Sequence, residues 1–294
     1  MALGTAEEGR AILDTQDDYI RALAPLERRL RLYSEAPVDT AAFQKDQAGR
    51  LRDWPAEATP YLTPLLQRLQ QFLGGVAGRW PARLLLVRTD GELEDGAPFT
   101  RGAAMFVPDR ELVPPGKAAF VLGHEAFHIL TRHDPELRER LFAAIGFRAC
   151  ARTDVPEAVA ALRVSNPDAP ESRHTLRVRF RGEEVDALPY IRLPEDVKTR
   201  AGFMAQIRVR WLIADRAGDA CVIRRAGPGA VEADPDELDG LAEQVGRNTR
   251  YFFHPEEILA DNFALLFLEH LRGTPSRAPS PEVLERLRQI LRKN

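Results

Sequence analysis

Residues 121–135 read VLGHEAFHILTRHDP and contain three of the 6 histidines of this 294-residue chain. His124 and His128 are four positions apart, so on a helix they lie on one face, about one turn apart. Two imidazoles placed in this way can bind one metal ion of the size of zinc, and Glu125 between them can take a proton from water without being a ligand. The pattern therefore predicts a metal site on a helix.

The residues around this motif are apolar on most sides, which predicts that the helix is buried. His124, Glu125, His128 and Arg132 nevertheless form one polar stripe along it. Burying such groups without partners costs several kcal/mol, so a partner is expected. A metal ion supplies that partner, and a purely structural hydrogen-bond network is the alternative.

A second apolar helix is predicted at residues 254–268, HPEEILADNFALLFL, and it carries Glu257 and Asp261 four positions apart. One of these carboxylates can bind the metal, and the other can accept the ring N–H of a ligating histidine and fix its orientation. Glu256 has Ala260 four positions later and lacks such a partner, so the spacing favours Glu257. The alternative is that both glutamates only favour the N-terminus of a helix.

The motifs HEAFH and EILAD together resemble those of the gluzincin class of zinc metallopeptidases, which carry H-E-x-x-H on one helix and E-x-x-x-D on a second. The resemblance implies one zinc ion bound by His124, His128 and Glu257. It also implies that Glu125 is the general base and that Asp261 contacts His124.

The same resemblance implies a zincin-like core and an upstream strand that binds extended substrate by main-chain hydrogen bonds. The stretch TRGAAMFVP, residues 100–108, is placed to be that strand. Two features depart from the class. Ala126 stands where a bulky apolar residue is usual, and the separation of His128 from Glu257 is far longer than in the thermolysin type.

The implied reaction is hydrolysis of a peptide or protein substrate, and its oxyanion needs a donor besides the metal. The candidates are His174, Tyr190, Tyr251 and His254, and we favour His174 because it follows a turn-rich stretch. One alternative is a metallohydrolase of another amide or ester. A further alternative is a non-catalytic binding module with a structural or vestigial zinc site, against which Glu125 argues because a structural site needs no base.

The fold class predicted is α+β, with four parts along the chain. Residues 1–76 read as an N-terminal helical region, and residues 77–172 with 232–294 as a zincin-like core. That core begins with a small sheet, with strands in ARLLLVRTDG and TRGAAMFVP. The H-E-x-x-H helix follows, predicted from about Lys117 to Arg132, and Asp134 is predicted to cap the next helix. The core ends in a helix in PDELDGLAEQVG, the helix that begins at His254 and a last helix in SPEVLERLRQILRKN. Residues 173–231 read as a β-rich insertion of two hairpins. The first joins HTLRVRF to EEVDALPYIRL through Arg181-Gly182, and the second joins FMAQIRVRWLIAD, which begins at Phe203, to ACVIRRA.

Composition excludes several classes of function. The formal net charge is −3, so neither a nucleic-acid partner nor an anionic membrane surface is expected. The N-terminus lacks the pattern of a signal peptide, and Cys150 and Cys221 lack metal-type spacing. We therefore expect two reduced thiols and a cytoplasmic location, while the oligomeric state does not follow from the sequence.

Overall fold

The structure is a computed structural model, and it describes residues 1–198 and 202–293. It confirms the α+β class, since helices, two mixed sheets and a two-stranded antiparallel sheet share the chain. Residues 199–201, in the predicted insertion, and Asn294, at the end of the last predicted helix, lie outside the described residues.

Helices and strands are numbered here in chain order. The helices are α1 Ala6–Leu13, α2 Asp18–Ala22, α3 Pro25–Arg31, α4 Thr40–Gly49, α5 Thr59–Gly74, α6 Pro115–His133, α7 Pro135–Ala144, α8 Glu157–Ala160, α9 Phe203–Gln206, α10 Leu241–Val245, α11 Pro255–Arg272 and α12 Pro281–Leu291. The strands are β1 Ala2–Leu3, β2 Leu51–Arg52, β3 Leu85–Thr89, β4 Phe99–Arg101, β5 Ala104–Pro108, β6 Phe147–Ala149, β7 Arg152–Thr153, β8 His174–Phe180, β9 Glu183–Arg192, β10 Arg208–Ala217, β11 Ala220–Ile223, β12 Arg225–Ala226, β13 Gly229–Ala230, β14 Glu232–Ala233 and β15 Leu238–Asp239. In this described part, none of the helices combines the length and the apolarity that a membrane span needs.

The first sheet precedes α6 in the chain and has the order β1-β3-β5-β4, with β2 beside β3. The strand predicted in ARLLLVRTDG is confirmed as β3. The prediction of one strand in TRGAAMFVP is wrong, because the chain turns at Gly102, whose φ of 54° glycine adopts without strain. The stretch divides into the end of β4 and all of β5, and the sheet edge belongs to β4 because β5 lies between β3 and β4.

The second sheet has the order β15-β8-β9-β10-β11-β7, with β14 beside β10 and β6 beside β8. Both predicted hairpins form, as β8–β9 and β10–β11. Arg181 and Gly182 both have positive φ, which suits the tight turn between β8 and β9. The strand predicted from Phe203 begins instead at Arg208, after α9. The sheet is wider than residues 173–231, because β6, β7, β14 and β15 also join it.

The helices around the motifs agree with the sequence, with one exception. The helix predicted from Lys117 to Arg132 is α6, and Asp134 caps α7 by accepting the N–H of Leu137 at 3.1 Å. The helix predicted in PDELDGLAEQVG is mostly absent, since β15 lies within that stretch and only α10 is α-helical there.

The two motif helices pack directly against each other, and this contact positions the site. Gly123 permits the close approach, because a Cβ at this position would lie 3.0 Å from the Cα of Ala264 and 3.2 Å from the ring of Phe267. Phe127 and Phe263 are fully buried in the same core, 5.6 Å apart between ring centroids. The polar residues of both helices therefore meet inside an apolar surround.

The expectation of two reduced thiols is wrong, because Cys150 and Cys221 form a disulfide with a Cα–Cα distance of 5.7 Å. The pair is separated by 71 positions in the sequence. β11 pairs in parallel with β7 in the second sheet, with Cys221 opposite Thr153, and this pairing brings the cysteines together. A contact that depends on sheet pairing leaves no spacing signal in the sequence.

We predict that Gly123→Ala lowers the free energy of unfolding by about 1–3 kcal/mol, because the added methyl group presses on the backbone of α11. Gly116→Ala, in the first turn of the same helix, is the matched control, since nothing lies within 4 Å of its added Cβ. The control should be neutral or stabilising by less than about 1 kcal/mol. Urea unfolding measures both, and equal stability of the two variants would contradict the close helix approach.

Candidate metal centre

Two carboxylates of α11 orient the two histidines of α6. His124 donates its Nδ1–H to Asp261 Oδ1 at 2.8 Å, and His128 donates its Nδ1–H to Glu256 Oε1 at 3.0 Å. Because Nδ1 donates to a carboxylate in both rings, the other nitrogen, Nε2, is the one left to bind a metal ion.

Glu257 lies between the two Nε2 atoms. Its Oε2 is 3.2 Å from His124 Nε2 and 3.8 Å from His128 Nε2. Its other oxygen, Oε1, accepts a hydrogen bond of 2.6 Å from Asn166 Nδ2, which holds the carboxylate in place. One ligand-type atom from each of His124, His128 and Glu257 therefore lies within 4.8 Å of the others. The structure brings together the three residues that the sequence predicts as metal ligands.

The spacing of these atoms fits a single ion of zinc size. Ligands at about 2.0–2.1 Å from a tetrahedral centre lie roughly 3.3 Å from one another, and the separations of 3.2 and 3.8 Å bracket that value. His128 Nε2 is buried and has no hydrogen-bond partner among the described residues, a costly state that a bound cation relieves. Two imidazole nitrogens and one carboxylate oxygen also form the ligand set of one class of catalytic zinc sites.

The acidic side chains of the site stabilise positive charge on the two histidines, and the pKa values of the histidines and of Glu257 are shifted accordingly. Burial alone lowers the pKa of His128, but the charges of Asp168 and Glu257 outweigh it and raise that pKa to about 9. The pKa of His124 is also raised against burial, by hydrogen bonds with Asp261 and Glu257. Burial raises the pKa of Glu257, but the charge of His128 and the bond with His124 lower it to about 2. A divalent cation would satisfy the same negative charge.

Glu125 is buried beside this centre and is not one of the three converging residues. Its Oε2 has no hydrogen-bond partner among the described residues. Burial raises the pKa of Glu125 to about 8, and the charge of Asp168 acts in the same direction. A carboxylate oxygen without a hydrogen-bond partner is free to accept a proton, which suits the predicted role as general base.

Glu256 has a role in the site that the sequence does not predict. The position four residues after it is Ala260, and the spacing therefore favours Glu257 as the ligand. Its partners lie on α6 instead, where His128 and the hydroxyl of Thr131 both donate to its Oε1. Glu256 therefore orients the His128 ring by accepting its Nδ1–H, just as Asp261 orients the His124 ring.

A cavity of about 380 Å³ opens beside the converging atoms. His124, Glu125, Glu257 and Asp261 form part of its polar lining. The apolar wall residues include Phe99, Phe120, Val121, Val164, Ile191, Phe203, Met204, Ile207, Val209, Tyr251 and Phe253. This size and this apolar character are typical of sites for small organic ligands.

The structure does not bring His174 to this cavity. His174 begins β8, and its Nε2 donates to Glu139 of α7 at 2.9 Å. Its pKa is lowered because it is buried. His254 is also engaged elsewhere, since its Nδ1 accepts the N–H of Glu256 and its Nε2 donates to the carbonyl oxygen of Glu171. Burial lowers the pKa of His254 to about 4.

The two tyrosine candidates for the oxyanion donor differ in position. Tyr190 is buried in the second sheet, in an apolar cluster with Leu188 and Leu212. Tyr251 lies half-exposed on the cavity wall. Of the four candidates, Tyr251 is the one that the cavity wall includes among the described residues, so the geometry gives the predicted role of His174 no support.

Residues 165–168, Ser-Asn-Pro-Asp, close one side of the cavity. Asn166 donates to Glu257, and a carboxylate oxygen of Asp168 lies within 4.8 Å of ligand-type atoms of Glu125 and His128. The sequence of this stretch predicts a turn, because asparagine, proline and aspartate favour turns. Turn composition alone gives no sign of the contact with the candidate metal centre.

We predict that the protein binds one zinc ion, that His128→Ala abolishes this binding, and that Glu256→Gln weakens it by about 10–100-fold through the loss of ring orientation. His133→Ala is the matched control, since the His133 ring donates to the carbonyl oxygen of Ile129 at 2.9 Å and does not face the site. Competition with a fluorescent chelator measures the affinities. Equal zinc affinity in His128→Ala and His133→Ala would place the zinc elsewhere.

Comparisons with known proteins add no assignment to this geometry. No protein-family model, no curated protein and no solved structure matches the chain. The description of the site therefore rests on the positions and chemistry of its own residues.

Proposed function

We propose that this protein is a zinc-dependent metallopeptidase of the gluzincin type, with a zincin-like core made of the first sheet, α6 and α11. The observation that carries this proposal is the convergence of His124 Nε2, His128 Nε2 and Glu257 Oε2 beside a buried, unpartnered carboxylate oxygen of Glu125. Three of these groups, His124, Glu125 and Glu257, line a cavity large enough for a substrate side chain and its neighbouring peptide bond.

Hydrogen bonds within the protein hold the proposed metal ligands in position before any ion or substrate binds. Asp261 and Glu256 fix the two rings, and Asn166 fixes the Glu257 carboxylate, so little reorganisation remains when an ion binds. A zinc ion in this place supplies a Lewis acid that polarises a carbonyl group and acidifies water.

Glu125 provides the proton transfer in this proposal. Its free Oε2 accepts a proton as water attacks the peptide carbonyl carbon, and it then passes that proton to the leaving amine. Burial places this carboxylate in a medium of low dielectric, where proton transfer is coupled strongly to nearby charge. Tyr251 is the side chain on the cavity wall that can donate a hydrogen bond to the oxyanion.

The non-catalytic zinc module explains fewer of these observations. A structural zinc site is closed by four protein ligands, whereas this centre has three converging groups and an adjoining cavity. A structural site also gives no reason to bury a carboxylate oxygen of Glu125 without a partner.

We predict that Glu125→Gln keeps its zinc and lowers the rate of peptide hydrolysis by about 10²–10⁴-fold, because the amide cannot accept the proton. Hydrolysis is followed by mass spectrometry on a mixture of short apolar peptides, and zinc content by elemental analysis of the same samples. Glu136→Gln, an exposed glutamate on α7, is the matched control and should retain full activity.

Three results would separate the alternatives in this experiment. Hydrolysis that survives in Glu125→Gln contradicts the assigned base. Zinc bound by both variants without hydrolysis of any peptide favours the non-catalytic module. Cleavage of simple amides or esters with no cleavage of peptides favours a metallohydrolase of another bond.

A further inference from the structure

The edge of the first sheet, formed by β4, is covered beside the metal centre by the side chains of Asp168 and Arg132. The main-chain N–H of Thr100, in β4, donates to Asp168 Oδ1 at 2.7 Å, and the Thr100 hydroxyl donates to the same oxygen. Arg132 donates to the carbonyl oxygen of Gly102 at 3.2 Å and to the hydroxyl oxygen of Thr100 at 2.8 Å. An added substrate strand needs the same main-chain groups, so an extended peptide cannot pair with β4 between Thr100 and Gly102.

The segment that closes this edge is held firmly by the fold. The N–H of Ser165 donates to Glu27 Oε1 at 2.6 Å, and its carbonyl oxygen accepts from Arg31 at 2.7 Å. The N–H of Val164 donates to the carbonyl oxygen of Ile191 at 2.9 Å. Glu27 and Arg31 are themselves buried. The closed end is therefore a fixed wall of the cavity.

Asp168 places a carboxylate at this closed end. Its Oδ1 accepts from Thr100 and lies 3.8 Å from Arg132 Nη2, whereas its Oδ2 makes no hydrogen bond with the described residues. One of its oxygens lies within 4.8 Å of ligand-type atoms of Glu125 and His128. The α-nitrogen and the carbonyl carbon of one amino acid are two bonds apart. A cationic group held by Asp168 can therefore belong to the same residue whose carbonyl lies at the metal centre.

The carboxylates that line the cavity favour a positively charged substrate group over a negatively charged one beside Asp168. Its wall carries the carboxylates of Glu94, Glu111, Glu125, Asp168, Glu257 and Asp261. The one arginine of the described wall, Arg31, is already ion-paired with Glu94 and Glu27. A substrate ammonium group gains a charge-assisted hydrogen bond here, and a substrate carboxylate group would be repelled.

We propose, on the basis of the hydrolase function proposed above, that the substrate is a peptide with a free amino end and an apolar first side chain. Asp168 receives the α-ammonium group, the closed edge at Thr100 leaves no path for residues before it, and the wall formed by Phe99, Phe120 and Phe203 takes the side chain. The protein is then an aminopeptidase rather than an endopeptidase.

The reaction removes one residue from the amino end of the peptide. Water adds across the first peptide bond, and the C–N bond breaks. The carbonyl carbon gains the hydroxyl group, and the nitrogen of the second residue gains the proton. The products are a free apolar amino acid and a peptide shorter by one residue.

Binding of two matched probes tests this inference without relying on activity. A leucyl tripeptide and its N-acetylated form are titrated calorimetrically into the zinc-loaded Glu125→Gln variant. We expect the free amino form to bind about tenfold tighter or more, as one hydrogen bond between charged groups allows. Affinities that differ by less than about twofold would overturn the proposal, because that is far below the effect of a charge-assisted bond.

Asp168→Asn, added to the same variant, should bring the two affinities together. Its amide oxygen can still accept the N–H of Thr100, so the loop keeps its main anchor on β4. Asp109→Asn is the matched control, since Asp109 is an exposed aspartate that pairs with Arg88, and it should preserve the difference. A difference that persists in Asp168→Asn would show that another group binds the ammonium.

The products formed by the unmodified protein distinguish this inference from the proposed function. Stepwise loss of amino-terminal residues supports both the hydrolase function and the aminopeptidase specificity. Cleavage inside N-acetylated peptides supports the hydrolase and overturns the aminopeptidase. Tighter binding of the free amino form without hydrolysis supports the binding site and contradicts the hydrolase.

Discussion

The site depends on the packing of α6 against α11, which Gly123 makes close enough for polar groups of the two helices to bond across the contact. The Nδ1 bonds of His124 and His128 to carboxylates of α11 turn both Nε2 atoms toward Glu257. Because the surround is apolar and tightly packed, neither ring can turn away without breaking a buried hydrogen bond. Fold stability and ligand geometry are therefore determined by the same contact.

The centre has an excess of buried negative charge, and this excess explains much of its chemistry. Carboxylates from α6, α11 and the loop at residues 165–168 gather around two imidazoles. Burying several acids is unfavourable unless cations accompany them, so a divalent ion would stabilise this centre, as would the cationic group proposed at Asp168. Burial raises the pKa of Glu125, and the charge of Asp168 acts in the same direction.

The sequence predicted the parts of the site that depend on one helix at a time. Four-residue spacing identified His124 with His128 and Glu257 with Asp261, and turn residues identified the hairpin at Arg181. Contacts between helices, strands and loops that are distant in the chain have no characteristic spacing in the sequence. The bond between Glu256 and His128, the disulfide and the approach of Asp168 all require packing of segments far apart in the chain. TRGAAMFVP was predicted as one strand because glycine within an apolar run does not by itself distinguish a strand from a turn.

Zinc K-edge X-ray absorption of the zinc-loaded protein measures the ligands of the ion itself and so tests whether α6 and α11 together hold it. We expect two imidazole nitrogens and one carboxylate oxygen at about 2.0–2.1 Å, with water completing the shell. The imidazole scattering should fall by half in His124→Ala if some zinc is retained. A spectrum with sulfur ligands, or one without imidazole scattering, would contradict the account.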